Sequence, residues 1–124
     1  MADGRPLISV VDDDESVRES LPDLLRSFGY DVETFCSAEE FLRSPHLGRT
    51  RCLLLDIAMP GMSGPELFQS LTATKKHIPV VFLTGVEDET VRSRLILQGA
   101  TDCLFKPFGE EALQDAVKAA LGLT

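Results

Sequence analysis

The residues with chemistry to offer stand at the ends of two apolar runs. Ile8-Ser9-Val10-Val11 leads into Asp12-Asp13, and Cys52-Leu53-Leu54-Leu55 stops at Asp56. If both runs are buried parallel strands, their carboxyl ends lift these acids to one edge of a sheet, the edge at which open α/β folds bind ligands. Like charges gathered there repel one another unless a cation or a proton intervenes. That arrangement is costly for a small domain and points to chemistry rather than packing.

Short β-rich runs alternate with segments of helical period, the signature of repeated β-α units around a doubly wound parallel sheet. The pattern predicts strands over Leu7 to Val11, Asp31 to Phe35, Cys52 to Leu55, Val80 to Thr84 and Asp102 to Phe105. It predicts helices over Glu15 to Phe28, Ala38 to Arg43, Pro65 to Thr72, Glu89 to Gln98 and Glu110 to Leu121. Gly29 and Gly99 stand where helices stop. Ser37 followed by Glu40 reads as a capping box, and Pro79 precedes Val80 where a strand tolerates proline. Pro22 breaks the pattern, because inside the first helix it removes a donor and should kink the chain.

The 124 residues fit one domain, and 44% hydrophobic content suffices for a single core. A net charge of −8, with the basic residues scattered, argues against direct nucleic-acid binding. Cys36, Cys52 and Cys103 are odd in number and widely spaced, so they read as reduced core thiols. His46 and His77 lie in polar connections without ligand partners at useful spacing and read as solvated surface residues. The start carries no signal-peptide pattern and no apolar stretch approaches ~18 residues, so a cytoplasmic protein without a membrane span is expected.

With the elements in this order, the constellation Asp12-Asp13, Asp56, Thr84 and Lys106-Pro107 resembles the receiver domain of two-component response regulators across nearly the whole chain, 1–124. The resemblance is carried by Val10-Val11-Asp12-Asp13, Asp56-Ile-Ala-Met-Pro-Gly-Met-Ser-Gly64, Leu83-Thr84-Gly85, Gly99-Ala100-Thr101-Asp102 and Lys106-Pro107-Phe108. Each is weak alone; all in order, at the ends of predicted elements, are specific. Phe35-Cys-Ser-Ala-Glu-Glu-Phe-Leu42 and Met59-Pro-Gly-Met-Ser-Gly64 look closest to receivers of the FixJ type. Such receivers usually precede a helix-turn-helix DNA-binding domain, which these residues do not contain. The fold implied is a flavodoxin-like (βα)5 sheet with strand order 2-1-3-4-5.

The resemblance implies that Asp56 accepts a phosphoryl group from a phosphohistidine on a sensor histidine kinase, in transcriptional regulation. The chain would then be no enzyme but a phosphoacceptor that assists its own phosphorylation and dephosphorylation. Mg²⁺ would be held by Asp13, Asp56 and the Ala58 backbone carbonyl, with Asp12 acting through a water; it suits such a site because it prefers oxygen ligands. Lys106, in a usually cis bond to Pro107, would bring positive charge to the phosphoryl oxygens. Thr84 would donate its hydroxyl, and Gly85 would leave the route open. Ala58 and Val86 flank the site without a side chain to position water, which implies slow self-hydrolysis. Read from the residues alone, Asp13, Asp14 and Glu15 also suit an acidic helix start. Asp56 also suits a turn, Thr84 a strand end and Lys106 the surface.

One position departs from the family pattern. Three residues before Lys106, where many receivers carry an aromatic ring, stands Cys103, with Phe105 and Phe108 nearby. In the fourth helix, Val91 and Leu95 share an inward face, leaving Ile96 or Leu97 toward solvent. The sharper reading of that face is a phosphorylation-dependent homodimer surface on the fourth helix and fifth strand. Two rivals remain: an inert receiver-like binding module, and a small phosphatase with Asp12 as nucleophile and Asp14 as acid. The second leaves Asp56 unexplained.

Overall fold

The computed structural model describes residues 4–123. Strands β1 (Leu7–Val11), β2 (Asp31–Phe35), β3 (Thr50–Asp56), β4 (Val80–Thr84) and β5 (Asp102–Phe105) form one parallel sheet ordered β2-β1-β3-β4-β5. Helices α1 (Glu15–Ser27), α2 (Ala38–Leu42), α3 (Gly64–Ala73), α4 (Glu89–Leu97) and α5 (Glu110–Leu121) connect or follow them. The strand order reverses between β1 and β3, and at such a switch point the loops leave in opposite directions and open a crevice. Asp12 and Asp56 sit at that crevice, so the expected topology and the expected placement of the acids agree.

β1 and β4 are buried at every residue, because helices cover both faces of the sheet. Their side chains divide with period two. Val11, Leu53, Leu55, Val80 and Phe82 face α2, α3 and α4 through Phe41, Leu67, Phe68, Leu71 and Leu95. Ile8, Val10, Leu54, Val81 and Leu83 face α1 and α5 through Leu21, Leu25, Leu113, Ala116 and Val117. Two apolar layers therefore clamp the sheet, and the acids of interest lie at its carboxyl edge.

Several local expectations need correction. β3 begins two residues before Cys52, with Thr50 paired to Leu7 across a register irregularity between Leu7 and Ile8. There the Ser9 and Thr50 hydroxyls bond to each other at 2.7 Å, which satisfies two polar groups inside the sheet. Pro22 lies inside α1 as the pattern predicts, buried beside Leu21, and the helix runs on to Ser27. Ser37 does cap α2, but Glu40 reaches past the cap to the Cys36 N–H at 2.9 Å. The reciprocal box is instead closed at α3, between Ser63 and Glu66, a signal present in the sequence and passed over. Cys36 is exposed, whereas Cys52 and Cys103 are core thiols as expected. His77 is exposed. His46 is not simply solvated: its ring stands 2.9 Å from Arg49 and 3.9 Å from Glu33.

Candidate functional site

The site is assembled from strand ends and the turns that follow them. Beyond β1 the Asp12 N–H still bonds to the Phe35 carbonyl at 3.1 Å, so the chain stays extended one residue past the strand. It then turns sharply. Asp12 Oδ1 accepts the Asp14 N–H at 2.9 Å, and Asp14 in turn caps α1 by accepting the Ser16 N–H at 2.9 Å. Asp14 is thus a helix cap, the structural alternative that the sequence left open. Arg18, one turn into α1, donates to the Asp12 carbonyl at 2.8 Å and ties the helix to the turn.

Asp56 is the last residue of β3, level with Leu83 of β4 and buried. Lys106 follows β5, where its N–H donates to the Thr84 carbonyl at 2.7 Å, and the Lys106-Pro107 bond is cis. Lys106 Nζ lies 2.9 Å from Asp12 Oδ2 and 3.7 Å from Asp56 Oδ1. Carboxylate oxygens of Asp12, Asp13 and Asp56 all lie within 4.8 Å of one another. Asp12 is fully buried, and Lys106 is the cation that compensates it.

Electrostatics record the crowding. Burial, then the charge of Asp12, push the Asp56 carboxyl up to about 7 against the pull of Lys106, and Asp13 adds to the rise. Burial lowers the Lys106 ammonium, but its hydrogen bond to Asp12 and the charges of Asp12 and Asp56 outweigh this and hold it above its ordinary value. One lysine therefore does not neutralise three carboxylates, and the cluster carries surplus negative charge.

Thr84 ends β4, buried, and its hydroxyl accepts the Val86 N–H at 3.1 Å. The residue thus faces the loop that leads into α4. Gly85 is exposed, and a methyl group there would project into open space, with no protein atom within 4 Å. Ala58 is exposed beside the crevice.

Residues the sequence reading passed over shape the loop after Asp56. At Gly64 an added methyl would run into the Asp56 carbonyl, so α3 starts against the backbone of the site only because this position lacks a Cβ. Glu39 reaches from α2 to accept the Met62 N–H at 3.0 Å, a hydrogen bond that lowers its carboxyl. The tightly spaced Ser63-Gly64-Pro65-Glu66 was a readable sign for Gly64. Nothing local marks Glu39, because its partner lies 23 residues away.

Toward α4 and β5, Cys103 is buried against the α3/α4 layer, and Phe105 packs partly on the same layer. Phe108 belongs to the opposite layer. In α4, Leu95 is buried and Val91 half-buried, while Leu97 is 88% exposed, as the spacing predicted. Among the described residues no helix is long and apolar enough to cross a membrane.

Comparison with known proteins places this constellation. The profile described as "Response regulator receiver domain" matches residues 8–118. The response regulator protein TodT of Pseudomonas putida is 41% identical over 123 residues, covering 99% of this chain and 54% of TodT. The transcriptional regulatory protein FixJ of Azorhizobium caulinodans is 41% identical over 115 residues, covering 93% of this chain and 54% of FixJ. The solved structure of the response regulator StyR superposes with a TM-score of 0.87 at 48% identity, covering 97% of this chain and 61% of that one. The chain belongs to the response regulator receiver domain family, which operates in two-component signalling and is not a classical enzyme family. It spans about half the length of these curated relatives, of which FixJ is named as a transcriptional regulatory protein.

Proposed function

We propose that Asp56 is the phosphoacceptor of a two-component relay. A carboxylate oxygen of Asp56 forms the new P–O bond as the P–N bond to a sensor kinase's phosphohistidine breaks and the imidazole leaves. The observation that carries this reading is the convergence of Asp12, Asp13 and Asp56 around a buried strand end with Lys106 beside them. A shallow groove of about 360 Å³ between α1 and Pro107-Phe108, lined by Val17, Leu21 and Leu24, opens next to Lys106 and gives the kinase an approach.

The donor set fits a magnesium ion: hard carboxylate oxygens are grouped with more negative charge than Lys106 offsets, and burial, then the charge of Asp12, push Asp56 up. Asp13, Asp56 and the Ala58 carbonyl would hold the ion, with Asp12 one water removed. When bound, it supplies charge neutralisation and fixes phosphoryl oxygens. Asp56 must be ionised to attack, which Lys106 favours. Lys106 also offers its ammonium to the incoming phosphoryl oxygens, and Thr84 exchanges its bond to the Val86 N–H for one donated to a phosphoryl oxygen. In this way the domain assists its own phosphorylation and, by the same groups, its dephosphorylation.

The added charge of roughly −1.5 to −2 then biases the loop after β4 and the α4/β5 face. That face, bearing exposed Leu97, becomes a surface for homodimerisation or an output partner in a cytoplasmic transcriptional response. The domain itself, at a net charge of −8, makes no direct contact with DNA. With Ala58 and Val86 offering no group to position water, the phosphoaspartate is long-lived; loss of label within seconds would contradict this.

Incubation with acetyl phosphate and Mg²⁺, followed by intact mass, tests the reading. Wild type should gain one phosphoryl group and Asp56→Asn none. A folded wild type that binds Mg²⁺ but takes up no phosphoryl group would make the domain an inert binding module, and label on Asp12 with ester turnover would make it a phosphatase.

A further inference from the structure

α4 is the helix least held by apolar packing. Leu95 is its one buried residue, whereas α1 buries Leu21, Pro22 and Leu25, and α5 buries Leu113, Ala116 and Val117. What pins α4 instead is polar. Arg92 Nε donates to the Cys103 carbonyl at 3.1 Å, and Nη2 donates to Asp102 Oδ1 at 2.9 Å. Asp102 Oδ1 also accepts the Cys103 N–H at 2.8 Å, so acceptor and strand are locked together. Glu89, one turn back, lies 3.8 Å from the same guanidinium. The strand gripped is β5, the sheet edge, where outward backbone groups have no neighbouring strand.

A short chain of bonds links this grip to the acidic site. The Thr84 hydroxyl holds the Val86 N–H, and two residues on Asp88 caps α4 through the Thr90 and Val91 N–H groups. Arg92 stands one turn beyond that cap, and its own N–H bonds to the Asp88 carbonyl at 3.1 Å. If the Thr84 hydroxyl turns toward a phosphoryl group on Asp56, Val86 is released and the start of α4 is freed to shift. The Arg92 bonds to β5 resist that displacement.

We propose that Arg92 is a positioning residue: its two-pronged bond to Asp102 and Cys103 clamps α4 onto β5 in the unmodified domain, and occupation of the Asp56 site works against this clamp. The proposal rests on the phosphoacceptor reading above and adds its regulation. Coupling is reciprocal, so whatever the anion does to the clamp, the clamp does to the anion.

The test uses beryllofluoride with Mg²⁺ as a non-covalent phosphoryl mimic. Arg92→Gln and Asp102→Asn should each tighten beryllofluoride binding, by about fivefold, the low end of measured couplings. The double variant should gain no more than the stronger single one, since both remove the same clamp. The shared direction is diagnostic. Losing a positive charge at Arg92 and losing a negative one at Asp102 would shift anion affinity in opposite senses if only the long-range field mattered. In the metal-free proteins, amide exchange across α4 should speed up in both variants while α5 is unchanged. Arg92→Lys, which keeps the charge but not the fork, should restore only part of the wild-type value. Opposite shifts, or lower thermal stability with unchanged anion affinity, would overturn the clamp alone. A wild type that does not bind beryllofluoride at all would overturn the phosphoacceptor reading and the clamp with it.

Discussion

α5 and α4 each lie against the sheet, yet they are held by different forces. α5 buries Leu113, Ala116 and Val117 in the layer it shares with α1, whereas α4 buries Leu95 and otherwise depends on the Arg92 bonds to β5. Apolar packing loses strength with every displaced methylene, so α5 has one position. A half-exposed ion pair exchanges partners with water at little net cost, so α4 has more freedom. The difference teaches where such a domain can keep a movable surface: on the side where packing is thinnest, next to the strand ends that carry the charge.

Truncation inside the α5 layer should give the largest effect. Leu113→Ala is expected to destabilise the domain by about 2–5 kcal/mol in urea unfolding. A loss below ~1 kcal/mol would break the contrast, because α5 would then be no better anchored than α4.

The acidic edge comes next, and here the sign matters. Burial and the Asp12 charge lift the Asp56 carboxyl from 3.8 to about 7, so the folded domain holds this proton more tightly than the unfolded chain does. The stability this confers is complete below about pH 4 and is lost as pH rises through about 7. Asp56→Asn, neutral throughout, is therefore expected to exceed metal-free wild type by about 1–3 kcal/mol above neutrality and to match it near pH 4. Denaturation curves at both pH values check this; an equal gain at both would show that the cost is not electrostatic.

The smallest stability effect should be on α4. Leu97→Ala is expected to change stability by no more than about 0.5 kcal/mol, because the side chain is 88% exposed. Sedimentation with and without acetyl phosphate sharpens the comparison: the wild type should associate on phosphorylation and the variant less. Equal association would move the proposed surface away from α4.

Much of this was legible in the chain. Short β-rich runs alternating with segments of helical period placed β1, β2, β4, β5 and α5 at the bounds observed, because buried strands and amphipathic helices leave local marks. The acids at Asp12, Asp13 and Asp56 and the lysine at Lys106 were visible as residue types at strand ends. Pairing was not. The family resemblance implies a water-bridged cation for Asp12, whose carboxylate also binds Lys106, 94 residues away. Glu39 holding Met62 and Arg92 holding Asp102 and Cys103 were likewise hidden, since a charged residue on a helix reads as solvated until the fold shows what lies opposite.

By itself, then, the sequence determined the order of elements, the acidic edge and the family, because each is written in neighbours along the chain. Only the tertiary structure decided which carboxylate the lysine compensates, why Gly64 must lack a side chain, and that α4, with only Leu95 buried, is also pinned by a guanidinium. Those depend on distances across the sheet, and local pattern carries no record of what strands bring together through space.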